Sequence, residues 1–477
     1  MNYQVKQLTL SLAAALALWT GPAQAQEFES DFASEFTEAA GAMAPAQSAG
    51  PAWTGFLSWE QGGHFGEPSE NERQRVLDQT RFRLKTSKST EVGKLDLKLD
   101  FVDDGVLNEA YLDLREGRIT TTPFSWMDLS VGKQVNTWGV GDMLFINDLF
   151  PKNWMAMFLG KDMEFMKDPA NSARVSTYLG PVTFDLVYHP QFAPDTTPNG
   201  CVFAVYNPNS LLDASQPALA GNAGACGSPP AASLRDGQYD HDEIAGRLKA
   251  NLGGFELALY GYHGFYKNPR GMELSVDSSG AMSLAAIYPR LSVQGASLEG
   301  QLGPGIMNFE AGNYDSLDDP DGTQALIENG ALKGLIGYRM DFSAHFSAGI
   351  QVYQETMKEY AAYEQSIVSM YQSMGLSEAM AEAQPGYIYR KEEQHQTYTL
   401  RLTFKAQQET LWINFFGYQR PQDRDGFYKL DLTKRASNAL SMTFGVNLFE
   451  GDVHYQDRDF GMLAAEDNAF LRLTYNY

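Results

Sequence analysis

From Trp53 onward, apolar and polar residues alternate along the chain in steps of two. Phe82 and Leu84 sit among Arg81, Arg83 and Lys85, and Leu95, Leu97, Leu99 and Phe101 among Asp96, Lys98 and Asp100. Ala110, Leu112 and Leu114 alternate with Glu109, Tyr111, Asp113 and Arg115, and the rule returns over residues 398–405 and 440–448. A period of two puts successive side chains on opposite faces of a strand. The second face is the informative one. Charged residues recur opposite a continuous apolar stripe, as in a sheet with lipid on one side and a wet lumen on the other.

Tight turns fall at residues 179–181, 252–254, 303–305, 406–408 and 436–437. Between them run long polar connections near 139–171, 190–240, 266–285, 315–330, 358–393 and 451–467. This alternation predicts an all-β fold, a transmembrane antiparallel β-barrel of about 18 strands (16–18), with short periplasmic turns and long extracellular loops. An even count leaves both termini in the periplasm. The last segment alternates Ala469, Leu471, Leu473, Tyr475 and Tyr477 with Phe470, Arg472, Thr474 and Asn476. An ending on an aromatic resembles the C-terminal signal of outer-membrane barrels, which implies the barrel-assembly machinery as a partner of the strand ending at Tyr477.

Residues 1–25 read as a cleaved leader: Lys6, an apolar run from Leu8 to Leu18, then Ala23-Gln24-Ala25 as a small-x-small site. Residues 26–51 form an acidic Ala/Pro-rich periplasmic segment, and 52–477 the barrel. The formal charge of −23 argues against nucleic acid as a partner, since a polyanion calls for a basic surface. Cys201 and Cys226, the only cysteines, share a Gly/Pro/Asn-rich stretch and read as a disulfide across a surface loop. No cofactor is implied; Cys-x-x-Cys-His is absent, so the chain attaches no c-type haem.

Residues 128–142 carry Gly132-Lys133-Gln134, Trp138-Gly139 and Asp142, preceded by Glu109-Ala-Tyr-Leu112 and followed by Asp148-Leu-Phe-Pro151. This set resembles a family of uncharacterised bacterial outer-membrane barrels, similar in style to alginate-export and phosphate-selective porins. The resemblance covers residues 107–152 and implies a location in the outer membrane and a transport role, not a substrate. The connection that follows is unlike the others. Met143, Leu144, Phe145, Ile146, Phe150, Trp154, Met155, Met157 and Phe158 are too apolar for an exposed loop. It is expected to fold into the mouth as a constriction, with Trp138, Asp142, Phe145, Trp154 and Phe158 as its candidates; the alternative is packing on other outer loops.

Inward-facing bases are expected at Arg81, Arg83, Lys85, Arg174, Arg247, Lys249, Arg401, Lys405 and Arg472. Inward acids are expected at Asp96, Asp100, Glu109, Asp113 and Asp185, with Gln134 and Asn136 beside them. One-signed rings select solutes, whereas acid–base pairs across strands only fill the interior. Residues 358–393 hold a helical pattern at Tyr360, Tyr363, Ile367, Met370 and Met374, with Ser377 able to cap a second short helix. Asp315, Asp318, Asp319 and Asp321 depart from EF-hand spacing and read as a solvated turn, so no metal site is expected. Neither His-Glu-x-x-His nor Gly-x-Ser-x-Gly occurs, and an enzyme is not expected. The function expected is a channel in outer-membrane lipid for small polar or amphipathic solutes. The rivals are a conduit sheathing a periplasmic partner such as an electron-transfer cytochrome, and an outer-membrane hydrolase.

Overall fold

A computed structural model describes residues 53–65, 74–198, 200–203, 205–213, 215, 219–220, 241–276, 278, 280, 282–383, 387–388, 390–451 and 460–477. The leader, the acidic segment and Cys226 lie outside the described residues.

The first seven strands are β1 (Thr54–His64), β2 (Arg75–Ser89), β3 (Lys94–Asp104), β4 (Glu109–Phe124), β5 (Met127–Gln134), β6 (Ala170–Leu179) and β7 (Val182–His189). Two two-residue strands follow, β8 (Val205–Tyr206) and β9 (Leu219–Ala220), then β10 (Glu243–Leu252) and β11 (Phe255–Phe265). β12 (Gly271–Val276) and β13 (Met282–Ile287) make a separate hairpin. β14 (Arg290–Leu302), β15 (Gly305–Ser316), β16 (Ala331–Ser343) and β17 (Phe346–Met357) resume the sheet. It finishes with β18 (Gln394–Ala406), β19 (Leu411–Arg420), β20 (Asp425–Arg435), β21 (Leu440–Glu450) and β22 (Asn468–Asn476).

Eighteen of these form one sheet in which each strand pairs antiparallel with the next barrel strand along the chain. It closes on itself: β22 lies against β1 from Phe56 opposite Asn476 to His64 opposite Asn468. Closure removes the unpaired edge that an open sheet would carry into lipid. Leu57, Leu112, Ile119, Val131, Leu259, Ile336, Ile350 and Leu473 all point outwards and are exposed. In water such a surface would aggregate; in a bilayer it is buried. Phe124 and Trp126 stack at 5.2 Å and Phe342 lies 5.5 Å from Phe346, each pair at a tight turn, as an interfacial aromatic girdle requires. No helix among the described residues is long and apolar enough to cross a membrane; this protein crosses with strands. The chain is a bacterial outer-membrane β-barrel, and the predicted turns and connections fall where the alternation put them.

The connection after β17 folds as α2 (Tyr360–Ser373) and α3 (Glu378–Glu382), the helix between β5 and β6 being α1 (Trp154–Phe158). Ser377 caps α3 by accepting the Met380 N–H at 3.3 Å. Tyr363, Ile367 and Tyr371 recur every four residues on one face of α2 and bury a small outer core with Leu211, Leu284 and Ile388. The acidic connection is more ordered than a solvated turn. Asp319 accepts the N–H groups of Thr323 and Gln324 at 3.0 and 2.9 Å, and Asp318 pairs with Arg290 at 2.8 Å.

Candidate functional site

Gly132 (φ 136°) lies within β5, paired with Arg118 and Ser172, and the path out of the strand turns at Gly139 (φ 80°), a backbone route that other residues rarely take. The chain then runs through the barrel interior instead of outwards. One arc of the wall holds it through Glu310 on β15, which is fully buried. Its carboxylate accepts the N–H groups of Val140 (3.0 Å), Gly141 (3.1 Å) and Asn147 (2.7 Å), and the Asn147 side chain (2.9 Å). Tyr314 donates to the Ile146 carbonyl at 2.5 Å, Gln351 on β17 accepts the Asp142 N–H at 3.1 Å, and Arg401 on β18 pairs with Asp142 at 2.7 Å.

The far arc holds the same segment. Asn447 and Asn468 donate to the Phe158 carbonyl at 3.0 and 3.2 Å. Arg472 donates to the Gly160 carbonyl at 3.3 Å and pairs with Asp162 at 2.6 Å. Arg83 pairs with Glu164, and Arg115 with Asp168 at 3.4 Å. Gly160 (φ 72°) passes so close to the wall that a Cβ there would lie 2.0 Å from the Phe470 ring.

Apolar contacts close most of what these bonds leave open. Phe158 stands among Phe203, Phe427, Phe449 and Phe460, with ring centroids 5.5–6.5 Å away. Trp138 packs edge-on against Phe150 at 4.9 Å, inside a second cluster with Ile146, Leu291, Val293 and Tyr314. Phe145 meets Trp154 edge-on at 6.0 Å, and the Trp154 indole donates to Asp195 at 2.8 Å. The inward face is therefore not uniformly wet. Phe416, Phe427, Phe449 and Phe470 occupy inward positions of β19–β22 and are buried, because the crossing segment lies on them.

A cavity of about 300 Å³ remains between β2, β4, β5 and the crossing segment. Arg81, Arg115, Lys133 and Lys161 reach it, against the carboxylates of Asp113 and Asp168. Phe165 forms part of its floor, with the guanidiniums of Arg81, Arg83 and Arg115 at 4.6, 5.0 and 5.3 Å from its ring centre.

The sequence-assigned lumen charges occupy inward registers, most of them paired. Asp100 takes both Arg81 and Arg83 at 2.6 Å. Asp185 takes Arg174 at 2.9 Å and Arg247 at 2.7 Å and leaves one net positive charge, whereas Glu164 on Arg83 balances the Asp100 group. Lys249 pairs with Glu256 (3.0 Å), Asp96 with Arg118 (3.2 Å), and Lys133 stands 4.0 Å from Asp113. Lys405 lies over the Trp412 ring at 4.7 Å. Lys85 is exposed near the tight-turn end of β2, and Glu109 is exposed where β4 begins. Gln134 and Asn136 both donate to the Ser172 hydroxyl, at 3.0 and 3.1 Å. Cys201 is buried and disulfide-bonded.

Glu310 and Lys161 escape a reading of local pattern. Glu310 shows only as an inward position between Asn308 and Gly312, and its partners lie far away in sequence. Lys161 follows the apolar run with no alternation to give it a face.

No protein-family model matches the chain, and no curated protein sequence matches it. Among solved structures it is similar to OccD3 (OpdP) of Pseudomonas aeruginosa, at 10% identity over 90% of this chain and 93% of that one, with a TM-score of 0.48. OccK11 (OpdR) of the same organism gives 11% identity, 89% and 95% coverage and 0.45. A porin of Rhodopseudomonas blastica gives 10% identity, 90% and 100% coverage and 0.35. Likenesses of this degree say nothing of substrate.

Proposed function

We propose that this chain is a porin-like channel for passive passage of small polar or amphipathic solutes, that residues 139–171 are its constriction, and that it is not an enzyme. The observation that carries the reading is the crossing segment itself. It is bonded to Glu310, Gln351 and Arg401 on one arc and to Asn447, Asn468, Arg472 and Arg115 on the other. A loop fixed on both sides narrows a lumen, and the cavity beside β2, β4 and β5 is space that the segment leaves unfilled. The same bonding weighs against a sheath for a periplasmic protein, which needs the full bore.

The test is single-channel recording of the refolded barrel in a planar bilayer. Wild type should show small, steady open steps, and a variant lacking residues 143–160 should show a conductance several times larger. Equal conductance of two correctly folded barrels would overturn the role given to the loop.

A further inference from the structure

We propose that His189 is an acid-sensitive latch: while neutral it lets the outer end of β7 and residues 190–196 clamp the crossing segment, and once protonated it releases them. This goes beyond the channel reading by giving the narrowing a signal that widens it. It rests on that reading only for its effect on conductance.

The clamp is built largely from backbone. Residues 190–196 leave β7 and lie along the crossing segment. The Thr196 N–H donates to the Lys152 carbonyl at 2.8 Å, and the Thr196 carbonyl accepts the Trp154 N–H at 2.9 Å. Asp195, itself buried, accepts the Lys152 N–H and the Trp154 indole N–H, both at 2.8 Å. The Thr196 hydroxyl donates to Asp168 at 2.8 Å. Lys267, just past β11, ties the clamp back to the wall. Its ammonium donates to the Ala193 carbonyl at 3.1 Å and to the two Glu243 oxygens at 2.6 and 2.7 Å.

His189 sits at the root of this clamp. It is 3% exposed, stands opposite Glu243 in the β7–β10 register, and its ring lies 5.8 Å from that of Phe150 on the crossing segment. Neither ring nitrogen has a hydrogen-bond partner among the described residues. The charges around it are already committed. Glu243 holds Lys267 and accepts the Tyr262 hydroxyl at 2.5 Å. Asp148 and Lys152, on either side of Phe150, pair at 2.9 Å. Asp185, on the same face of β7, holds Arg174 and Arg247, and Asp195 holds its two donors. An imidazolium would enter with no counter-ion and with Lys267 repelling it. The neutral ring is tolerated as a packing surface for Phe150; the charged ring is not. A histidine in water titrates near about 6.5. Protons therefore bind the released state in preference to the clamped one, so the clamp holds above that value and loses ground below it. Between pH 7.5 and 5.5 the ratio of released to clamped molecules should rise about tenfold.

Hydrogen exchange of the folded, detergent-solubilised barrel tests this, once corrected for the pH dependence of the chemical exchange rate. It reads that ratio as the protection of the amides in residues 190–196 and 148–155. Protection should fall about tenfold from pH 7.5 to 5.5 in wild type. It should hold steady in His189→Phe, which keeps a ring and cannot charge. If His189→Phe does not fold, His189→Gln carries the test. His263→Gln, at an exposed position of β11, should leave the wild-type fall as it is. In planar bilayers the wild-type steps should grow larger and noisier over the same range, and those of His189→Phe should not. Protection that ignores pH in wild type overturns the proposal, as does a fall of equal size in the variant without His189. A fall that depends on His189 in a barrel silent at every pH would sustain the latch and contradict the channel reading. Open channels with pH-independent protection would do the reverse.

Discussion

Lys161 is the residue whose chemistry is easiest to move. Burial brings its ammonium down to about 8, Arg81 and Arg115 press the same way, and Glu60 and Asp104 oppose them. A lysine so lowered is charged below that value and neutral above it. Anion preference, read as the reversal potential in a salt gradient, should therefore fall as pH rises from 7 to 9. Lys161→Gln should flatten the change, and a profile identical in wild type and variant would remove Lys161 from the selective path. Asp100 makes a different prediction. It is the carboxylate partner of Arg81 and shares Arg83 with Glu164, so Asp100→Ala leaves the buried Arg81 guanidinium without its ion pair. Breaking a buried pair costs roughly 3–5 kcal/mol, and the urea midpoint of the barrel should drop accordingly. An unchanged midpoint would mean that water already screens this trio.

At the scale of elements, the crossing segment depends on one carboxylate. Glu310→Ala would orphan the N–H groups of Val140, Gly141 and Asn147, at about 1–3 kcal/mol per unsatisfied group, while the Asn147 side chain keeps the Ala311 carbonyl. The segment should loosen while the barrel, closed by its own ladders, stays folded. Conductance should become larger and noisier, and protease should gain access to residues 140–160. Gly160→Val should act at the opposite anchor, because its side chain would strike Phe470. Steady wild-type steps in both variants would show that neither anchor governs the opening.

The strands were legible in the sequence because lipid imposes a strict period of two on one face, as in Leu95, Leu97, Leu99 and Phe101. The inward Phe427 and Phe449 were not, since they sit beside outward Tyr428 and Leu448 and an apolar pair carries no face label. The crossing segment was half legible. Its greasiness excluded water, but its anchors lie some 50 to 310 residues away in the chain and leave no local trace.

The whole molecule combines two sources of stability in unequal parts. The ring of strands is self-sufficient in backbone hydrogen bonds, and its exterior needs only lipid. The interior is divided by the crossing segment into two apolar packings and one polar cavity. Function on this account resides in the balance between them: enough packing to fix the segment, enough charge to keep one side wet. The most direct test is paired single-channel recording of wild type and the variant lacking residues 143–160. Small steady steps that grow several-fold on deletion are the predicted result. A silent wild type, or steps that do not change in a correctly folded deletion variant, would contradict a channel narrowed by its own inward-folded loop.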